Sequence, residues 1–152
     1  MNVYLVRHGE AVSEQQDPQR PLTASGREAV ERVARMAAAK NVQVSAIFHS
    51  GIPRARQTAE ILAEALRFAS GVQQLSGLRP QDDPAIAKAE LEAAESPIMV
   101  VGHLPHLNRL LGLLLSGNPE SRSMEFPPAT MVCCSNDTSK WKISWTLPPH
   151  LS

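Results

Sequence analysis

Two histidines and two arginines in this chain have the types and settings that chemistry on phosphorus would need. His8 follows Arg7 in Arg7-His8-Gly9-Glu10, His103 stands in Gly102-His103-Leu104-Pro105, and Arg54 lies in the run from Ser50 to Thr58. Arginine presents a planar fork that matches phosphate oxygens, and two such forks can hold a dianion from two sides. A neutral imidazole among them can attack phosphorus, because neighbouring positive charge depresses its pKa and disfavours the imidazolium form. Gathered in one place, the four side chains would make a pocket for a phosphoryl group.

Gathering them is the task of the intervening elements. Val3-Tyr4-Leu5-Val6 reads as a buried strand ending at Arg7 and His8. Val44 to His49 predicts a second strand, ending at His49-Ser50-Gly51. Ile98-Met99-Val100-Val101 is a continuous apolar run, as expected of a fully buried central strand, and ends in Gly102-His103. Thr23 is an N-cap for a helix to about Lys40, with Val30, Val33, Ala34 and Ala37 as its apolar stripe. A second helix is expected to be capped by Ser50 and to carry Pro53 and Arg54 in its first turn, with Ala55, Ala59, Leu62 and Leu66 facing inward. A short strand is expected within Val72 to Leu75, a third helix from Asp83-Pro84 to about Glu95, and a leucine-rich fourth from Pro105 to Leu115, closed by Gly117. Met131 to Ser135 and Trp141 to Thr146 predict a hairpin across Asn136 to Lys140, and the tail from Pro148 to Ser152 is expected to be loose. This alternation implies a layered α/β fold with a mostly parallel sheet. Three strands would deliver functional groups to one edge, where the N-termini of the helices opening at Ser50 and Leu104 add positive dipole ends.

Composition narrows the function classes. The chain has 152 residues, 43% hydrophobic and 20% charged, which suits one globular domain spanning residues 1–152. Its 15 basic and 15 acidic residues balance, so no nucleic-acid partner and no polybasic membrane anchor is expected. No stretch reaches the roughly 18–20 apolar residues that span a bilayer, and the N-terminus reads as a strand and not as a signal peptide; a cytoplasmic protein is the expectation. Cys133 and Cys134 are adjacent, hence on opposite faces of a strand, and are expected to pack in the core rather than form a disulfide. Two arginines oppose a cation at His8, His49 and His103, so no metal or cofactor is expected. His49 is expected to pack, Arg56 to be solvated, Arg20 to stand as an outside candidate for reaching substrate, and His106 and His150 to lie on the surface.

Four segments carry a resemblance. Arg7-His8-Gly9-Glu10, Pro21-Leu22-Thr23 with Gly26, Ser50-Gly51-Ile52-Pro53-Arg54-Ala55-Arg56-Gln57-Thr58 and Gly102-His103 occur in the order of the motifs of the histidine phosphatase (phosphoglycerate-mutase-like) superfamily. The chain resembles that superfamily, and within it the small SixA-type phosphohistidine phosphatases, in its compact length, its Gly102-His103-Leu104-Pro105 sequence and its lack of a long insertion after the third motif. Gly51 departs from the family pattern, which usually has proline there. The mutase-type glutamate that protonates an alkoxide leaving group has no clear equivalent; Asp82 and Asp83 lie in its region, Asp83 placed to cap the following helix.

The resemblance implies a three-layer phosphoglycerate-mutase-like fold, with a mostly parallel sheet flanked by helices. It also implies a metal-independent protein phosphohistidine phosphatase. His8 would be the nucleophile that forms a phosphohistidine intermediate. Arg7, Arg54, His103 and the backbone N–H of Leu104 would hold the phosphoryl oxygens. The implied partner is a phosphorylated protein, a histidine phosphotransfer domain of a phosphorelay, met by a monomeric enzyme. A missing acid suits a P–N bond, whose imidazole leaves more readily than an alkoxide; a positioned acid is typically worth ~10²–10⁴ in rate. Two alternatives stay open at the level of sequence. One is a phosphatase of small phosphomonoesters or other phosphoproteins using Asp82 or Asp83 as acid. The other is a non-catalytic phosphoprotein-binding module.

Overall fold

Alternation along the first strand sets the layering. In β1 (Asn2–Arg7), Tyr4 and Val6 point into one apolar core and Val3 and Leu5 into another, because successive side chains leave a strand on opposite faces. The computed structural model describes residues 1–122 and 124–149. The first core is closed by α1 (Ala24–Ala39) and α2 (Pro53–Ala65), which present Val30, Val33, Ala34, Ala37, Ala59 and Leu62. The second is closed by α3 (Pro84–Ala93) and α4 (His106–Ser116), through Ala87, Leu91, Leu107, Leu110 and Leu111. The expected three layers are therefore present, and each fully buried Leu or Val in the two cores contributes about 1.5–3 kcal/mol.

The sheet between them is mixed. Its strand order is β3 (Gln73–Gln74), β2 (Ala46–His49), β4 (Ile98–Gly102), β1, β5 (Met131–Asp137) and β6 (Lys140–Leu147). The pairs β3–β2, β2–β4 and β4–β1 are parallel, whereas β5 runs antiparallel to β1 and β6 antiparallel to β5. Every residue of β4 is buried, as a central strand covered on both faces requires.

Element ends differ from expectation where turns decide them. The hairpin loop is only Thr138-Ser139, both with φ in the left-handed region (52° and 65°), so its strands are longer than predicted. That pair of positive φ values matches the twist of the flanking strands. Strand β2 starts at Ala46 instead of Val44, and β3 is two residues long. Asp83 caps α3 as expected, its carboxylate accepting from the Ala85 N–H at 2.9 Å. The expected cap of α2 is a correction: the N-cap residue is Ile52, with no side-chain cap bond. Gly51, at φ 89°, turns the chain before the helix, which withdraws Ser50 from the capping position. Proline cannot adopt that φ, so glycine here builds a turn that a proline at this position could not. Cys133 and Cys134 are free, buried and divided between the two cores. The expectations for His150 and for the end of the tail lie outside the described residues. No helix among the described residues is long and apolar enough to cross a membrane.

Candidate active site

Register brings three strand ends level. Arg7 of β1 pairs with Gly102 of β4, and His49 of β2 pairs with Val101, so the chain leaves all three strands at the same edge of the sheet. The His8 N–H donates to the Gly102 carbonyl (3.0 Å), and the Arg7 N–H to the Thr130 carbonyl (3.1 Å). On the far side of the turn, the Gly9 N–H donates to Thr58 Oγ1 (3.1 Å), whose hydroxyl donates in turn to the Arg54 carbonyl (2.8 Å). Gln57 Oε1 accepts from the Leu22 N–H (2.9 Å) and ties the segment before α1 to α2. The backbones that carry His8 and Arg54 are thus linked through one threonine.

The two imidazoles face one another with ring centroids 5.0 Å apart. His8 Nδ1 lies 2.6 Å from the Gly9 carbonyl oxygen. A carbonyl can only accept, so Nδ1 carries the proton and Nε2 keeps its lone pair. Burial is the largest influence on His8 and, with the Arg54, Arg7 and Arg20 guanidiniums, pushes its pKa down to about 4 against the opposing effect of the Gly9 bond. His103 is 1% exposed and is pushed down to about 3, by burial first and then by His8, Arg54, His106 and Arg79. Its Nε2 lies 2.6 Å from Ser50 Oγ, which also accepts from the Ile52 N–H. Among the described residues, the charges that shift the two rings are positive, and both rings are neutral above about pH 5.

Donors without partners point to an anion. Arg7 Nη1 donates to the Phe126 carbonyl (2.9 Å), which fixes the guanidinium, while its buried Nε has no partner among the described residues. His103 Nδ1 is likewise buried and unpaired. Buried polar atoms are ordinarily hydrogen-bonded, and phosphoryl oxygens would satisfy both. Among the described residues no group of three or more His, Cys, Asp or Glu side chains is arranged to hold a metal ion.

The structure brings Arg7, His8, Arg54 and His103 near one another, and Leu104 follows directly at the exit of β4. His49 is 5% exposed and structural, its Nδ1 accepting from the Gly51 N–H (3.0 Å), and Arg56 is solvated. His106 is a correction: it is fully buried, because α4 turns its first residue onto the second core and not outward. Two residues stand closer to the chemistry than the sequence reading had them. Ser50 binds His103; its place in the third motif was the available signal. Arg20 bears electrostatically on His8 and Arg54, from a backbone with φ 47° and with Nε donating to the Val12 carbonyl (3.0 Å).

A three-layer α/β fold that collects arginines and paired histidines at the ends of its parallel strands defines a class of phosphoryl-handling proteins. Residues 3–82 match the histidine phosphatase superfamily (branch 1). A protein of Picosynechococcus sp., itself uncharacterized, is 35% identical over an alignment of 114 positions that covers 70% of this chain and 68% of that one. The solved structure of the protein histidine phosphatase SixA, complexed with tungstate, superposes with a TM-score of 0.86 at 26% identity and covers 98% of this chain and 97% of that one. A SixA-type structure from Agrobacterium tumefaciens shares the fold, with a TM-score of 0.78, 22% identity and 97% of each chain covered. The chain belongs to the histidine phosphatase superfamily, branch 1, and is a phosphatase with a SixA-like fold.

Proposed function

We propose that this phosphatase hydrolyses phosphohistidine on a protein, with His8 as nucleophile. His8 Nε2 attacks phosphorus in line, the substrate P–N bond breaks, and the phosphoryl group passes to His8. Water then attacks phosphorus, the P–Nε2 bond breaks, and inorganic phosphate leaves with His8 restored. Arg7, Arg54, His103 and the Leu104 N–H hold the non-bridging oxygens while charge builds on them. Ser50 is a positioning residue: its hydroxyl, donating to His103 Nε2, keeps the ring proton on Nδ1, the atom with no partner among the described residues. Arg20 adds positive charge at the same pocket.

The observation that carries the substrate class is the absence, among the described residues, of a carboxylate bearing on either imidazole. Asp82 Oδ2 accepts from the Arg79 N–H (2.9 Å), and Asp83 is committed to capping α3. An alkoxide leaving group needs a positioned acid. A phosphohistidine protonated by water on its distal nitrogen expels neutral imidazole and needs none. SixA, a protein histidine phosphatase that takes tungstate, an oxyanion like phosphate, supports the same reading. A histidine phosphotransfer domain in a cytoplasmic phosphorelay, met by a monomer, belongs to it. One observation favours small phosphomonoesters instead: Asp82 lines a cavity of about 250 Å³ together with Ser50 and Arg79.

The two readings separate on a substrate panel. A phosphotransfer domain phosphorylated on histidine with phosphoramidate is expected to be dephosphorylated far faster than sugar phosphates or phosphoserine, and His8→Ala to abolish turnover together with the acid-labile phosphoenzyme. Comparable or faster rates on the phosphomonoesters would overturn the P–N assignment, and full activity of His8→Ala would overturn the nucleophile.

A further inference from the structure

Beside the paired imidazoles lies a cleft of about 710 Å³ that Arg7 lines. Its other walls are Leu104 from the turn before α4, Asn108 from the start of α4, and Arg122, Met124, Glu125 and Phe126 from the segment before β5. Because the Phe126 carbonyl holds Arg7 Nη1, this segment is hydrogen-bonded to a guanidinium proposed to bind phosphate. A group attached to a phosphoryl held by Arg7 would have this wall beside it.

The cleft has the anatomy of a protein interface. Phe126 is buried and Leu104 and Met124 half-buried, which makes an apolar floor, whereas Arg122 and Glu125 are exposed at the rim. An apolar centre inside a polar rim, with Arg, Met and an aromatic residue among its members, is how protein partners are met. Small-molecule sites instead enclose their ligand and aim several polar groups at it. The wall is also pre-set. A Cβ on Gly112 of α4 would lie 2.6 Å from the Asn118 carbonyl oxygen and 2.7 Å from that of Ser121, so helix and segment are packed backbone to backbone. Charge selects the partner. Arg7 and Arg122 line the cleft against the single carboxylate of Glu125, and Arg20, Arg54 and Arg79 add positive charge at the adjoining imidazoles, although the whole chain is neutral. Such an edge attracts an acidic surface.

We propose that this cleft seats the polypeptide that carries the phosphoryl group: an apolar side chain near the phosphorylated residue rests on Leu104, Met124 and Phe126, and an acidic side chain meets Arg122. The proposal rests on the phosphoprotein reading above and names its docking surface. Arg122 and Met124 set affinity for the protein and take no part in the transfer step.

The test compares two probes, the phosphoramidate-treated phosphotransfer domain and phosphoimidazole, on the parent and on Arg122→Glu and Met124→Asp. With the protein probe, KM is expected to rise about tenfold in each variant at unchanged kcat, as loss of an interface anchor does, and the Arg122→Glu effect to shrink with added salt. With phosphoimidazole, kcat/KM is expected to stay at the parent value, which also reports an intact fold. Unchanged KM on the protein in both variants would overturn the docking surface alone, and so would an equal loss on both probes. A parent enzyme that hydrolyses phosphomonoesters but not the phosphorylated domain would overturn the phosphoprotein reading and the docking surface with it.

Discussion

His8 and His103 are held neutral by the same means, burial within a ring of guanidiniums, but by different hydrogen-bond partners. The Gly9 carbonyl leaves His8 with a free Nε2, while Ser50 leaves His103 with a free Nδ1. A nucleophile must be deprotonated, so with His8 in the role proposed for it the acid limb of the pH profile reports that ring in the free enzyme. With its pKa near 4, kcat/KM on phosphoimidazole is expected to stay level from pH 8 to about 5 and to fall only as pH drops through about 4. Stopped assays with circular dichroism at each pH provide the check; an acid limb near the ordinary histidine value of about 6.5 would show that the ring is not held neutral. At this scale the sequence was a good guide to residue type. Arg7, His8, Arg54 and His103 were all legible. Arg20 was legible only as an outside candidate and the part of Ser50 not at all, because it depends on contact with a residue 53 positions away along the chain.

Elements enter through close approach. The first turn of α1 lies against the loop that leaves β1: a Cβ on Gly26 would stand 2.1 Å from the Glu10 carbonyl oxygen, and one on Gly9 would stand 2.9 Å from the Gly26 carbonyl oxygen. The Thr23 N-cap joins the same contact, its hydroxyl accepting from the Gly26 N–H (2.9 Å) and donating to Glu10 Oε1 (2.8 Å). Gly26→Ala must push this backbone away and is expected to cost roughly 1–3 kcal/mol, the usual range for overpacking. Because the displaced loop carries His8, kcat should fall as well. Urea unfolding and phosphoimidazole turnover measure the two effects, and parent values of both would mean that the approach is loose. The apolar stripes, the Thr23 and Asp83 caps and the Gly117 terminus were readable because they obey local rules. The two-residue β3 was not predictable in length, since so short a strand exists only through its pairing with β2.

For the whole molecule, burial of histidines links stability to pH. His8 and His103 titrate near 4 and 3 in the folded state, and burial lowers His49 and His106 as well. Unfolded histidines titrate at about 6.5. Above that value neither state binds these protons and stability is at its full level. As pH falls from about 6.5 toward 4, the unfolded chain takes up protons that the folded one refuses, so stability declines; it levels off once the folded sites also protonate. Thermal midpoints at pH 7.5, 6.0 and 5.0 are expected to fall in that order, and equal midpoints would contradict the buried-neutral assignment.

By itself the sequence determined the family and the layered α/β class and named the four residues proposed here as the heart of the site, because motif order and apolar periodicity are properties of the chain read locally. Tertiary structure alone decided the rest. Register aligned the ends of β1, β2 and β4 at one edge. Packing turned His106 inward and brought Ser50 to His103. The segment before β5 became a wall of the Arg7 cleft through a bond between residues 119 positions apart. Such contacts arise where burial must be satisfied across distant elements, and no local pattern in the chain encodes which partners will meet.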